Sequence, residues 1–183
     1  MEQVNLQSFS NSWYNQGGNA LKRVLWYLCN SLLLSSFIPG SIWRSLLLQL
    51  FGAQVGQGVV LKPRISVKYP WNLKIGNHSW IGERVWIDNL ALVSIGNNCC
   101  VSQAATFTCG NHNYKKSSFD LIVNPITMHD GSWVGAHTHL SPGTILQQNA
   151  VLGIGSTAIG ELKANGIYQG TPAVLIKNRD IIV

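Results

Sequence analysis

Aliphatic residues recur every six positions through most of this chain. They fall at Ile75, Ile81 and Ile87, at Ile95 and Val101, and again at Met128, Val134, Leu140, Leu146 and Leu152. Four places after each stands a small or β-branched residue: Ser79, Val85, Ala91, Cys99, Ala105, Ser132, Thr138, Thr144, Ala150 and Ser156. A helix needs an apolar spacing of about 3.6 and a half-buried strand one of about 2, so two positions locked to a period of six fit neither alone. They predict short strands joined by tight turns, with one large aliphatic pointing inward per strand and a small residue packed at each bend. Glycine follows the aliphatic at Gly76, Gly82, Gly96, Gly135 and Gly153, where stacked backbones approach closely. Three hexads make one triangular coil, which cannot bury its interior alone but does so when coils stack. Val55, Leu61 and Val67 keep the same step and predict the first coil.

The register breaks twice. Between Ile87 and Ile95 the step is eight, so two extra residues bulge near Asp88, Asn89 and Leu90. After Val101 one further hexad reaches Phe107, and residues 108–127 then leave the repeat. A long excursion from a regular solenoid is where function tends to sit. This one carries Cys109-Gly-Asn-His-Asn-Tyr114.

Ahead of the repeat, residues 1–50 predict an apolar, helical N-terminal extension to a solenoid domain at 51–183. The stretch from Val24 to Phe51 is apolar, yet Asn30, Pro39-Gly40 and Arg44 interrupt it before the roughly 18 clean residues that a membrane span requires. Two short helices are expected, either capping the core or lying on a membrane surface. Lys22, Arg23 and Arg44 beside Trp13, Trp26 and Trp43 suit peripheral membrane contact through residues 20–50.

The order of motifs in the second half resembles the hexapeptide-repeat acyltransferases, specifically the branch of galactoside, maltose and colanic-acid-type sugar O-acetyltransferases. The resemblance runs from Phe51 to Arg179. It rests on Ile126-Thr-Met-His-Asp-Gly-Ser-Trp-Val-Gly135, Leu140-Ser-Pro-Gly-Thr-Ile145, Val151-Leu-Gly-Ile-Gly-Ser156 and Gly170-Thr-Pro-Ala-Val-Leu-Ile-Lys177. Tyr69-Pro-Trp-Asn-Leu73 and the apolar N-terminus look most like the colanic-acid subgroup.

The resemblance implies an all-β solenoid, a left-handed parallel β-helix of hexapeptide repeats. It also implies a homotrimer with active sites between subunits, and acetyl-CoA as co-substrate rather than any resident cofactor. The acceptor it implies is a saccharide hydroxyl in exopolysaccharide or surface-glycan synthesis. In that family a Gly-x-His element supplies the general base, and His112 in Gly110-Asn-His112 occupies its place. An imidazole titrates near neutrality, so it can take a proton from a hydroxyl as the oxygen attacks a thioester. Asn89 lies where relatives carry an acid near the acceptor, with Asp88 as the alternative contact. Trp133 matches a tryptophan beside the cleft. Ala136, Ile154, Ile159, Gly160 and Lys177 match the coenzyme channel, and Gly160 stands where a lysine usually approaches coenzyme phosphate.

Composition narrows the rivals. A hydrophobic content of 46% supports a sizeable core, which argues against disorder. The net charge of +6 is spread out rather than gathered in basic runs interleaved with stacking aromatics, so nucleic acid is not an expected partner. Cys29, Cys99, Cys100 and Cys109 form no CxxC pair, and the N-terminus lacks a signal-peptide pattern, so reduced thiols and a cytoplasmic location are expected. A zinc carbonic anhydrase on this fold needs three converging imidazoles. His112, His137 and His139 are the available trio, but the last two leave one hexad in different directions, so no metal site is expected. A sugar nucleotidyltransferase needs a nucleotide-binding domain for which the first fifty residues are too few. The non-enzymatic alternative is a membrane-associated β-helix scaffold.

Overall fold

The computed structural model describes residues 3–182. Its body is a parallel β-solenoid of about six coils with three flat faces. The first face stacks Gln54–Val55, Leu73–Ile75, Val93–Ile95, Ile126–Met128, Ile145–Leu146 and Glu161–Leu162. On the second lie Val60–Leu61, Trp80–Ile81, Cys100–Val101, Trp133–Val134, Val151–Leu152 and Gly166–Gly170, closed by the antiparallel strand Ala173–Asn178. Ser66–Val67, Trp86–Asp88, Thr106–Thr108, His139–Leu140 and Thr157–Ala158 make the third. Each predicted aliphatic sits in register with its counterpart in the coil above, as Ile75 pairs with Ile95 and Val134 with Leu152.

The period of six has a physical cause visible at the bends. The inward aliphatics are buried, and of the small residues all but the half-buried Ala91 are buried beside them. Between hexads the chain turns through a left-handed residue, at Arg64, His78, Arg84, Asn98, Ala104, His137 and Asn149, with Gly58, Gly131, Gly143 and Gly155 in the same role. His78 and His137 are therefore corner residues. A Cβ on Gly76 would lie 2.5 Å from the carbonyl carbon of Gly96 and 2.6 Å from its oxygen, and one on Gly82 would lie 2.6 Å from the Gln103 nitrogen. Neither neighbour can yield, because both are backbone.

One corner carries a ladder of side-chain caps. Asn77 Oδ1 accepts from the Gln57 N–H at 2.8 Å, Asn97 Oδ1 from the Asn77 N–H at 2.8 Å, and Asp130 Oδ1 from the Asn97 N–H at 2.8 Å. The Asn97 N–H, followed by the Asn97 side-chain amide at 3.1 Å, holds the Asp130 carboxyl below the usual carboxylate range.

The expected two helices are present as α1 (Ala20–Cys29) and α2 (Ser41–Leu50), joined by a π-turn at Asn30–Leu34. Asn19 caps α1 by accepting from the Lys22 N–H at 2.8 Å. Both helices pack on the open end of the first coil. Trp26 is buried and its indole N–H donates to the Val67 carbonyl at 2.9 Å, while Leu34, Leu48 and Phe51 join the same core. Arg44 is fully buried and its guanidinium donates to the carbonyls of Gly40, Ser36 and Ile38, which folds the connection between the helices onto itself. No helix among the described residues is long and apolar enough to cross a membrane.

Two boundaries differ from the pattern. Thr108 and Thr127 both lie in solenoid strands, so the excursion is confined to residues 109–125. It is not a structureless loop: Gly110–His112 and Leu121–Val123 pair as an antiparallel hairpin, a local period that the surrounding repeat gives no means of predicting. Residues 3–19 are not part of a helical extension either. They form an arm with one 3-10 turn, Leu6–Ser8, that runs beside the hairpin. Phe9 and Trp13 stand four residues apart, a helical spacing that the arm does not take up.

Candidate active site

The hairpin leaves the corner between the third and first faces and holds His112 at its outer end, opposite Leu121. Its eight-residue tip, 113–120, is closed by the Asn113 N–H donating to the Asp120 carbonyl at 2.8 Å. Lys116 and Asp120 pair at 2.8 Å across the tip. The imidazole of His112 stacks on Phe119, with centroids 4.4 Å apart and planes 7° from parallel, and Phe9 from the arm packs tilted at 5.5 Å.

The decisive contact is His112 Nδ1 at 2.8 Å from the Phe119 carbonyl oxygen. A carbonyl only accepts, so Nδ1 carries the proton, and a neutral ring then presents Nε2 as a bare base. The ring orientation is thus fixed by its own hairpin.

His112 lines a cavity of about 460 Å³ together with Gly110 and Leu121 of the hairpin and Asp88, Lys68, Tyr69 and Leu90 of the solenoid. The opposite wall is the arm, through Phe9, Asn11, Tyr14 and Gln16. The arm is pinned where the Asn5 N–H donates to the Ser117 carbonyl at 2.8 Å and the Tyr14 hydroxyl to the Leu90 carbonyl at 2.6 Å. Burial, then Tyr69, Asp88 and Cys109, push the Tyr14 phenol's pKa up, so it stays a donor. Lys68 Nζ lies 2.8 Å from Asp88 Oδ1 but off the hydrogen-bonding direction, so this oxygen is ion-paired yet without a hydrogen-bond donor.

Asn89 faces the other way. It is fully buried, its Oδ1 accepts from the Tyr69 N–H at 2.8 Å, and its Nδ2 donates to the carbonyls of Tyr69 at 2.6 Å and Asn72 at 3.0 Å. An amide so enclosed cannot touch an acceptor. The expectation that Asn89 binds one is corrected: it shapes the bulge, and Asp88 is the bulge residue that reaches the cavity.

Relatives fix the family. The provisionally named colanic acid biosynthesis acetyltransferase WcaF of Escherichia coli is 32% identical over 166 residues, covering 90% of this chain and 91% of that protein. The chain belongs to the hexapeptide-repeat acetyltransferases. Galactoside O-acetyltransferase of Escherichia coli is 26% identical over 137 residues, covering 73% of this chain and 67% of its own length. Among solved structures, a hexapeptide-repeat acetyltransferase from Vibrio cholerae matches with a TM-score of 0.79 at 18% identity, covering 88% of this chain and 92% of that one. A galactoside acetyltransferase solved with coenzyme A matches at 0.76 and 23% identity, covering 87% and 82%. These two show the same coil architecture. No family model matches the chain.

The remaining predicted residues of this acetyltransferase lie away from the His112 cavity. Trp133 points outward from the second face, half exposed, and its indole N–H donates to Ser102 Oγ at 2.9 Å. Ala136 and Ile154 occupy one corner of successive coils, linked by the Gly155 N–H donating to the Ala136 carbonyl at 2.9 Å. Ile159 and Gly160 sit at the next corner, exposed; Gly160 has φ +72° and nothing within 4 Å of a Cβ. Lys177 is exposed on the final strand, paired with Ile167. The third face separates Ala136 and Ile154 from the corner that carries Ile159, Gly160 and, in an earlier coil, the hairpin, and none of these residues or Lys177 lines the His112 cavity.

His137 and His139 diverge as their hexad positions imply. His137 turns a corner with φ +56°, while His139 Nε2 is 2.9 Å from Thr108 Oγ1. Among the described residues no three metal-ligating side chains cluster. The arm residues and Lys68 in the cavity carried no sequence signal: one i, i+4 aromatic pair is too little to set a period in the arm, and Lys68 looks like any polar residue after an inward valine.

Proposed function

We propose that this acetyltransferase moves an acetyl group from acetyl-CoA to a hydroxyl of a saccharide, in the synthesis of an exopolysaccharide or surface glycan. The observation that carries this reading is the 2.8 Å contact of His112 Nδ1 with the Phe119 carbonyl, which assigns the proton to Nδ1 and leaves Nε2 of the neutral ring unprotonated, on a residue that lines one cavity with Asp88. Nε2 takes the hydroxyl proton as the sugar oxygen attacks the thioester carbonyl. The tetrahedral intermediate expels the coenzyme A thiolate, which recovers the proton from the imidazolium, so no covalent enzyme intermediate is needed. Asp88 receives a neighbouring sugar hydroxyl and steadies the ring charge. The cavity contributes the rest by holding two substrates at reacting distance.

The coenzyme residues at Ala136, Ile154, Ile159, Gly160 and Lys177 serve this chemistry if a second subunit brings its own His112 hairpin beside them. That is the reason to assign a homotrimer. The outward ladder of Trp80, Cys100, Trp133 and Ile167 on the second face, interrupted by the buried Val151, is apolar enough to pack subunits together. We place the protein in the cytoplasm, resting on the inner face of the membrane through its helical cap.

The test is acceptor-dependent thiol release from acetyl-CoA across a panel of glycans. His112→Ala should lower turnover by on the order of 10²-fold or more with an unchanged melting temperature. Near-normal turnover in that variant removes His112 as the base. No acceptor-dependent release by the unaltered protein favours a scaffold.

A further inference from the structure

A second cavity of about 510 Å³ continues from the first, sharing Gln16, Lys68, Tyr69 and Asp88 with it. The His112 cavity already falls in the size range of small-molecule sites, so the reacting sugar needs no second chamber. This one runs between α1 and the third face. Trp86, Trp71, Tyr69 and Tyr27 supply aromatic surface, and Arg23 and Lys68 supply positive charge. Tyr69 and Trp71 are stacked at 5.2 Å, and the Trp71 N–H is tied to the Gln16 carbonyl at 2.9 Å, so this part of the wall is preformed.

The two cations differ. Lys68 is already paired with Asp88. Among the described residues the ion pairs engage Arg64, Lys68, Arg84 and Lys116, whereas Arg23 bonds one carbonyl, that of Gly18 at 3.1 Å. The groove therefore holds an unneutralised guanidinium, whose planar fork matches phosphate oxygens. At its far end the lining passes to Val24 and Tyr27 of α1, 59% and 71% exposed. Both belong to the outer side of the helical cap, where Leu21, Leu32, Phe37, Ile42 and Leu50 are each more than 65% exposed. An apolar surface of that extent beside excess positive charge fits an anionic lipid interface.

We infer that the second cavity is a subsite for the phosphate of a lipid-linked saccharide, with Arg23 on the phosphate, the lipid leaving over α1 and the sugar reaching back to Asp88 and His112. The inference rests on the acetyl-acceptor reading for the position of the sugar. A soluble sugar phosphate shares the phosphate chemistry but makes no use of the apolar exit.

Calorimetric titration of the full chain with farnesyl diphosphate, inorganic pyrophosphate and farnesol separates the possibilities without any acetyl transfer. Farnesyl diphosphate should bind at least tenfold more tightly than pyrophosphate, and farnesol weakly. Arg23→Gln should weaken farnesyl diphosphate at least tenfold, while Arg84→Gln, which removes an exposed charge elsewhere, changes it less than twofold. Equal affinities for the unaltered protein and Arg23→Gln overturn the subsite. Pyrophosphate binding as tight as farnesyl diphosphate overturns the lipid link. Because binding is the readout, either failure is distinct from an inactive His112.

Discussion

Replacing Asn89 by alanine separates a scaffolding role from a substrate-binding one. The substitution strands three backbone groups beneath the bulge: the Tyr69 N–H, bonded at 2.8 Å, and the carbonyls of Tyr69 and Asn72, bonded at 2.6 and 3.0 Å. Each bond is worth about 1 kcal/mol net, and a buried group left without a partner costs about 1–3 kcal/mol, so the loss should be at least about 3 kcal/mol. For a chain of this length about 1 kcal/mol moves the melting temperature by roughly 2–4 °C, which puts the variant about 6–12 °C below the unaltered protein. Thermal unfolding followed by circular dichroism measures this directly. Asn89→Asp should fare little better, since it keeps an acceptor for the Tyr69 N–H but turns a carboxylate toward two carbonyl oxygens. A melting temperature within about 2 °C of the parent, with only the acceptor KM raised, would refute the scaffolding argument.

Three further outcomes follow from the coil geometry and the buried groups. Gly76→Ala drives a Cβ into the Gly96 backbone at 2.5 Å and should destabilise by about 1–3 kcal/mol, checked by denaturant titration. The Cys109 thiol, raised by burial to about 11, should resist alkylation at pH 8 in the native state and react once unfolded, as mass spectrometry of iodoacetamide-treated protein would show. Burial lowers the pKa of His139, so below the ordinary value of about 6.5 the unfolded chain binds a proton that the native one refuses. Its contribution to stability is full above that pH and declines as pH falls, and His139→Gln should flatten the decline in melting temperature measured between pH 7 and 5.

The coils were legible because burial imposes the same choice six residues apart, again and again. Ile75, Ile95, Met128 and Leu146 are each forced to be large and apolar by the coil below and the coil above. His112 was legible only as a motif on the one long departure from that rhythm. What fixes its ring, the Phe119 carbonyl seven residues on, is a backbone atom and has no letter in the sequence. Asn89 shows the opposite failure. Its place beside Asp88 looked like chemistry, but side chains on adjacent residues of an extended segment point to opposite sides, and one faces the cavity while its neighbour is enclosed. The arm was invisible because its contacts join Asn5 to Ser117 and Tyr14 to Leu90, distances along the chain over which no local pattern can speak.

That arm also orders events during synthesis. Its residues are made before the surfaces that receive them, Leu90 and Ser117, which are complete only once the third coil and the hairpin exist. The cavity that the arm walls therefore closes only when about half of the solenoid is stacked, and until then Phe9, Trp13 and Tyr14 have no surface of their own chain to cover.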